Sequence, residues 1–586
     1  MKKHAITALL AGLMFTLGAA AQQPAAKGYQ FGGLAFGHDL ASIWDFGEMS
    51  RTQSFGTARA MAMGGAFTSL GADLSTMSLN PAGLGMYRGN ELSVTPLISM
   101  NRADRVGQVF DNGTAPADKG RGSNARNLFA LGNVGVTINV MKNPNSAVTS
   151  VNFAFGMNRI ADFNRSYSFS TPLSYNPEWG AIPSIADLYA HQLQFGEYGH
   201  PVFPDKGEGE NNPNGRLNFN GTAYFWPAVL GYKGAMTHVK GMGDERMWER
   251  DAIGENASIR RGMDVTNSGS INEFTLAVGA NIRNIVYVGA SFGIQSVRKN
   301  NEVTYSEDYT YEGGRALGRN GELLAGQLEY ADMWQRSELS GAGINLKLGV
   351  TVRPTKGLRL GVAFHTPTYY TLDRAYRAGI GYKLLNHENQ TYYEAAEYSP
   401  TIYDEADFAW EFTSPTRLMF GASYTFGRTA ILAVDYERDW YRGVRVKNAP
   451  GGNFTMAPAA FNRRIRDTFR PTNNIRAGLE IKPTQLFALR AGGGYSSSML
   501  SDETMAYDSP MPTDSWYFSL GAGMRLGRRI SLDIAYQMLT ENQSQFYMFY
   551  EDVLGADGQW HPGLDSALYE TAFTRHFLSL TMSYRF

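Results

Sequence analysis

Alternation of apolar and polar residues with a period of two is the dominant pattern of this chain, and it is cleanest at the end. Phe586, Tyr584, Met582, Leu580 and Leu578 share one face of an extended strand, and Arg585, Ser583, Thr581 and Ser579 share the other. About nine residues of such alternation is the length a tilted strand needs to cross a bilayer. The pattern recurs upstream as pairs of strands joined by short polar turns. Strands over 134–140 and 151–157 flank Lys142-Asn143-Pro144-Asn145, and strands over 274–282 and 286–294 flank Arg283-Asn284. Arg353-Pro354-Thr355-Lys356 separates 344–352 from 358–364, and Gly427-Arg428 separates 418–426 from 430–436. Lys482-Pro483-Thr484 and Gly527-Arg528 close the last two pairs, 475–481 with 487–495 and 520–526 with 530–536.

Six hairpins, a first strand carrying Leu92, Val94, Ile98 and Met100, and the terminal strand predict about fourteen strands. The remaining connections are long: 101–127, 159–272, 297–340, 368–415, 442–472, 497–515 and 541–573. Short turns at one end and long loops at the other are the asymmetry of transmembrane barrels. The expectation is an all-β fold, an antiparallel transmembrane β-barrel of about 14 strands, with both chain ends on the periplasmic side. Closure follows from energetics, because each unpaired backbone group in lipid costs several kcal/mol. A cylinder of this size leaves a lumen that its own side chains do not fill.

The period-two signal is missing from 22 to 90. Residues 56–63 are helix formers ended by Gly64-Gly65, and Asn80-Pro81 is turn punctuation. Such a short segment of small residues makes no large core by itself. It is expected inside the cylinder, as a helical N-terminal hatch. Before it, Lys2-Lys3, an apolar run and Ala19-Ala20-Ala21 read as a secretory signal peptide over 1–21. The domains expected are therefore 1–21 signal peptide, 22–90 hatch and 91–586 barrel.

Composition narrows the classes. A formal net charge of −1 argues against nucleic acid as a partner, and cysteine is absent, so thiolate metal sites and disulfides are excluded. Gly289-Ala290-Ser291-Phe292-Gly293 matches a hydrolase nucleophile pattern but sits inside a continuous strand rather than at a strand-to-helix turn. His387-Glu388-Asn389-Gln390-Thr391 lacks the second histidine of a zinc-protease motif. No catalytic residue, metal site or cofactor is expected, and the chain does not read as an enzyme.

The segment 54–59, followed by Gly64-Gly65-Ala66-Phe67, Asp73 and Asn80-Pro81-Ala82-Gly83-Leu84, resembles the hatch of the FadL/TodX-type outer-membrane transporters of hydrophobic compounds. The resemblance implies a fourteen-stranded barrel with an Asn-Pro-Ala motif in a lumen-blocking hatch. It also implies passive uptake of fatty-acid-like or aromatic molecules by loop capture, hatch rearrangement and lateral release beside an inward-kinked third strand. By position, Gly156 is the expected kink, and Gly64, Gly65, Asn80, Pro81 and Ala82 are the expected gate. Two other classes stay open: a secretion-system shuttle of the same fold that holds cargo, and an outer-membrane lipase. The partners implied are a hydrophobic small molecule, outer-membrane lipid and the barrel-assembly machinery, which reads a terminal aromatic such as Phe586.

Candidate ligand residues follow from chemistry. Phe55, Met63 and Phe67 could line an apolar pocket or pack plug against wall. Arg59 on the hatch, and Arg476 and Arg490 on the lumenal face by parity, could receive a carboxylate or belong to a satisfied polar lumen. Aromatic loop residues such as Tyr224, Phe225, Trp226, Phe408 and Trp410 read as an interfacial girdle first and as a ligand groove second.

Overall fold

The structure, a computed structural model, describes residues 43–53, 55–109, 126–177, 181–195, 226–241, 246–388, 390–398, 409–448, 458–501, 514–547, 550–554, 560–565 and 568–586. The expected signal peptide, residues 22–42 of the expected hatch, and Ser54, Tyr224, Phe225 and Phe408 lie outside them.

Two short helices, α1 (Ile43–Ser50) and α2 (Ala58–Ala62), precede the strands. The wall begins with β1 (Glu91–Val109), β2 (Arg126–Lys142) and β3 (Val148–Asp162). It continues with β4 (Ala257–Ile282), β5 (Val286–Tyr311), β6 (Gly326–Val352) and β7 (Leu358–His365). Next come β8 (Arg417–Phe426), β9 (Ala430–Asp439), β10 (Thr472–Ile481) and β11 (Phe487–Ser496). The last three are β12 (Ser515–Leu526), β13 (Ile530–Tyr547) and β14 (Leu568–Arg585). Each strand pairs antiparallel with its successor. β1 then pairs with β14, from Glu91 opposite Arg585 to Val109 opposite Leu568, and closes the cylinder. The fourteen-stranded antiparallel barrel expected from the alternation is the fold.

The alternation works as lipid requires. On β6, Leu346, Leu348 and Val350 are exposed on the outer surface, while Asn345, Lys347 and Thr351 are buried inside. The same division holds on β9, where Leu432 and Val434 face out and Asp435 and Glu437 face in. Apolar side chains thus meet hydrocarbon, and polar ones are satisfied in the lumen.

Three strands run far beyond this belt. β4, β5 and β6 are 26, 26 and 27 residues long. The stretches expected as long connections at 159–272 and 297–340 are therefore partly ladder. Along these extensions the polarity inverts without a change of parity. On β4, Glu273 and Thr275 are the buried inner residues of the belt; above them Ile271, Val265, Met263 and Ile259 take that face. Asn272, Ser270, Thr266, Asp264 and Arg260 face out. Val297, Val303 and Tyr305 on β5, and Leu339 and Met333 on β6, repeat the switch. The outer surface has left lipid and entered water, and the lumen has become a protein core.

That core caps the barrel. One cluster packs α3 (Ile185–Phe195) and α4 (Trp226–Lys233) onto the inner faces of the three extensions, with Tyr189, Leu230, Tyr305 and Ile380 fully buried. A second gathers Phe46 and Met49 of α1 with Trp410, Phe412 and Phe461, the last from α5 (Pro458–Thr468). Trp410 therefore does not join an interfacial girdle. Its ring meets Phe46 at 5.9 Å and Phe461 at 5.6 Å, because the strand Ala409–Thr413 pairs with residues 369–373 as an extension of the wall and buries Trp410 on its inner side.

Candidate functional site: the plug and its seat

Residues 55–90 lie within the belt and are held by their own caps. Thr57 begins α2 and accepts from the Ala60 N–H at 3.2 Å, while its hydroxyl donates to Asp73 at 2.9 Å. Asp73 in turn accepts from the Ser75 N–H and opens a short helical turn, Leu74–Met77. Asn80 opens a second, Pro81–Met86: its Oδ1 accepts from the Ala82 N–H at 3.1 Å, and its Nδ2 donates to the Thr68 carbonyl at 2.5 Å. Capping and turn chemistry account for all three choices. Gly64 and Gly65 hold φ of 62° and 70°, a backbone turn that glycine adopts at little cost.

The wall receives this segment through glycines. A Cβ placed on Gly289 of β5 would overlap the Pro81 carbonyl, on Gly349 of β6 the Asn80 side chain, and on Gly361 of β7 the Thr68 carbonyl. Gly478 and Gly492 meet Met63 and Gly64 in the same way, and Gly521 meets Ala62 at 2.5 Å. Gly279 meets Leu84, Gly421 meets Thr68 and Gly156 meets Met77, so nine strands each present one glycine to the plug. Polar wall residues then satisfy the plug backbone. Ser291 donates to the Met77 carbonyl at 2.9 Å, Tyr517 to Gly64 at 2.7 Å, and Asn152 to Leu84 at 2.9 Å. Asp435 accepts from the Thr68 N–H at 2.7 Å, and Thr581 from the Ala58 N–H at 2.7 Å.

Each candidate cation has a carboxylate. Arg59 pairs with Glu480 at 3.2 Å; Arg490 pairs with Glu480 at 2.7 Å and Asp533 at 2.6 Å; Arg476 pairs with Glu437. Arg59 also lies over the Phe67 ring, 5.3 Å from its centre. Arg59–Glu480 crosses from plug to wall, whereas the pairs of Arg490 and Arg476 join wall strands to one another, so Arg59 alone of the three fastens the plug. Met63 and Phe67 are fully buried against Ala433 and border none of the three cavities described below. Phe55 stacks edge-on to Phe577 at 5.0 Å and borders a cavity. Parity already places Asp435 and Glu437 in the lumen, and the glycines of 492–494 and 521–523 read as room for backbone or plug, whereas the sequence does not single out Glu480. Strand parity alone puts Glu480 on the same face as Arg476.

Two cavities lie on the loop side of the plug. One, of about 90 Å³, is lined by Glu48, Arg51, Asp162, Arg165, Glu541 and Arg575. The other, of about 60 Å³, is lined by Phe55, Arg159, Glu273, Lys347, Tyr370 and Arg417 among others. At the short-turn end a wider one, of about 710 Å³, is bounded by Arg59, Arg88, Arg359, Glu480, Lys482 and Asp533.

Beside the plug the wall itself comes apart. The ladder between β2 and β3 runs only as far as Asn133 opposite Asn158, although β2 continues to Arg126. From Asn158 to Asn164 nearly every residue of β3 and its continuation is buried, so the strand has turned into the lumen. The register shift against β4 falls between Arg159 and Ala161. Gly156, the expected kink, is paired in register on both sides. The bend sits three to five residues further on, and Gly156 instead makes room for Met77. The inturned end is anchored on the far side of β2: Arg575 donates to Asp162 at 2.8 Å and to Asn101 at 2.9 Å. The Gln53 N–H donates to the Ile160 carbonyl at 2.8 Å, which ties the stretch before α2 to the same bend.

No family model matches the chain, and no curated protein matches it. Solved structures do. The chain is similar to FadL and TodX barrels. A Pseudomonas aeruginosa FadL homologue aligns over 91% of this chain and 100% of its own, with a TM-score of 0.47 and 13% identity. The P. putida toluene transporter TodX aligns over 91% and 99%, with a TM-score of 0.46 and 10% identity. The Ralstonia pickettii toluene transporter TbuX aligns over 91% and 99%, with a TM-score of 0.44 and 12% identity.

Proposed function

We propose that the protein is an outer-membrane channel for the passive uptake of small hydrophobic molecules, with lateral release through the wall between β2 and β3. The observation that carries this reading is the lost ladder beyond Asn133 and Asn158, next to a cavity bordered by Phe55, Asn158 and Ile160. A membrane-embedded wall that leaves strand edges unpaired is costly, and such a gap fits a passage better than a structural accident. The outer end of β2 offers Phe129 and Leu131 to lipid, an apolar margin for a molecule on its way out.

The cavities of about 90 and 60 Å³ hold a few waters. A small-molecule site occupies roughly 300–1,000 Å³, so passage requires the plug or α1 to shift. In this reading Gly64, Gly65, Asn80, Pro81 and Ala82 form the movable seat, Arg59 is a latch to Glu480 of the wall, and Arg476 and Arg490 are held by wall carboxylates rather than serving as ligand receptors. The C-terminal end lies at the short turns, the periplasmic side in this reading, and its exposed Phe586 is the residue the assembly machinery would read.

The test uses the absence of native cysteine. Cysteines at Ala130 and Arg159, joined by a cleavable bifunctional maleimide, bridge the two strands across the gap. Uptake of a fluorescent hydrophobic probe into cells should fall to the level of cells lacking the protein, and return on cleavage. Uptake unaffected by the bridge would remove the lateral route.

A further inference from the structure

The ends of the six hairpins share a property that neither the plug nor the gap uses. Lys142 ends β2, Arg283 lies between β4 and β5, and Arg353 and Lys356 lie between β6 and β7. Arg428 joins β8 to β9, Lys482 joins β10 to β11, and Arg528 and Arg529 join β12 to β13. None of these connections contains an Asp or Glu. Every hairpin end is cationic in a chain whose net charge is −1, so the acidic excess lies elsewhere.

Among these eight cations, all described, Lys482 has a carboxylate partner, Glu480 at 2.9 Å. Arg353 donates to the Lys356 carbonyl at 3.3 Å, and Arg529 approaches the Tyr584 hydroxyl at 3.5 Å. Lys142, Arg283, Lys356, Arg428, Arg528 and Arg529 are exposed. Each hairpin end adjoins the outer apolar surface. Phe426 beside Arg428 packs edge-on to Tyr424 at 4.8 Å, and Tyr584 beside Arg529 stacks on Phe586 at 6.1 Å. Leu486 and Phe487 follow Lys482, Ile285 follows Arg283 and Val140 precedes Lys142, all exposed. Aromatic and aliphatic residues at the rim of the belt, with cations directly beyond them, describe a membrane interface read all round its circumference.

We propose that the short-turn end of the barrel is a ring that binds anionic phospholipid headgroups in the surrounding leaflet and selects them over zwitterionic ones. Guanidinium and ammonium groups recognise the phosphate, and the unneutralised charge of the lipid supplies the selection. An encircling distribution favours lipid over a docked acidic protein, because lipid alone approaches every hairpin from the side.

The test places the purified full-length barrel in nanodiscs of mixed phosphatidylglycerol and phosphatidylethanolamine, then measures by mass spectrometry the lipid retained after detergent stripping. Retained phosphatidylglycerol should exceed its bulk fraction by about fivefold or more, the factor a single such cation supplies at low salt. The enrichment should vanish in R283Q/R428Q/R528Q/R529Q, survive in the matching lysine variant, and collapse at roughly 1 M salt, where screening acts over about 3 Å. Heat-modifiable gel mobility confirms that each variant is a folded barrel. Equal enrichment in the wild type and the glutamine variant overturns the proposal. So does charge-dependent binding of polyglutamate to discs of phosphatidylethanolamine without headgroup selection, which would assign the ring to an acidic polypeptide.

Discussion

The backbone of Pro81 occupies the place that a side chain on Gly289 would fill. Two residues later on the same strand, Ser291 bonds the Met77 carbonyl, so β5 both makes room for the plug and holds it. Gly289→Val should therefore loosen the plug without preventing assembly, since the outer, lipid-facing positions of β5 are untouched. Overpacking of this kind costs about 1–3 kcal/mol. Hydrogen exchange across 56–90 should accelerate and single-channel conductance should rise; an unchanged plug would show that the seat is not tight.

Sequence and structure agree where one physical constraint acts on consecutive residues. Lipid demands an apolar side chain at every second position, so Leu346, Leu348 and Val350 announce their strand and its outer face. Above Ile271, Val297 and Leu339 the ladder persists but the constraint changes sides: the apolar residues move inward and the outer ones become polar. Alternation read as membrane crossing stops there, and the strand extensions look like loops. The glycine seat is legible only in the runs 492–494 and 521–523, whose glycines allow backbone or plug to come close. A single glycine in a strand has many explanations, and its meaning at 289 or 349 depends on a backbone more than two hundred residues away. Likewise parity places Arg490 and Glu480 on the lumenal face but does not reveal that Arg59 completes the group. Gly156 reads as a bend in the sequence but makes room for Met77 in the structure, because glycine marks close approach as readily as curvature.

Glu480 is the hub of plug-to-wall charge. It accepts from Arg59 at 3.2 Å and Arg490 at 2.7 Å, and Lys482 lies 2.9 Å away. Glu480→Ala leaves Arg490 with Asp533 but takes from Arg59 its carboxylate on the wall, so the loss stays below the roughly 3–5 kcal/mol of a fully buried broken pair. The cost should fall on the plug rather than the closed ladder. Barrel unfolding followed by gel mobility should change less than protease cleavage after Arg59, and the opposite order would contradict a latch.

Acid should release α1 before it opens the wall. Lys299 lies 2.7 Å from Asp45 and 2.6 Å from Glu48, with Arg374 beside Asp45 and Arg165 beside Glu48. Burial by itself would push both carboxyls up, but the neighbouring cations outweigh it. Glu48 is held down to about 2, and Asp45 well below the usual carboxylate range. A depressed folded-state pKa contributes stability that is complete above the unfolded value, about 4.3 for Glu. That contribution is lost as pH falls toward 2. Exchange or cleavage within 43–53 should therefore increase between about pH 4.5 and 2, and in Glu48→Gln the pH dependence should be reduced.

Asn80 joins the two halves of the plug. Its Oδ1 caps the turn that begins at Pro81, and its Nδ2 holds the Thr68 carbonyl, against which Gly361 of β7 also packs. Asn80→Ala removes a cap worth about 1 kcal/mol and leaves a buried carbonyl with a lost partner, for a combined penalty of about 2–4 kcal/mol. Asn80→Asp keeps the cap but turns the Nδ2 donor into an acceptor facing the Thr68 carbonyl. The aspartate should therefore be at least as damaging as the alanine. If the motif were a cap alone, the aspartate would behave as wild type. Conductance of the two variants in planar bilayers, compared with exchange at 68–86, separates these cases: leak that tracks lost protection in both ties gating to the Asn80–Thr68 bond.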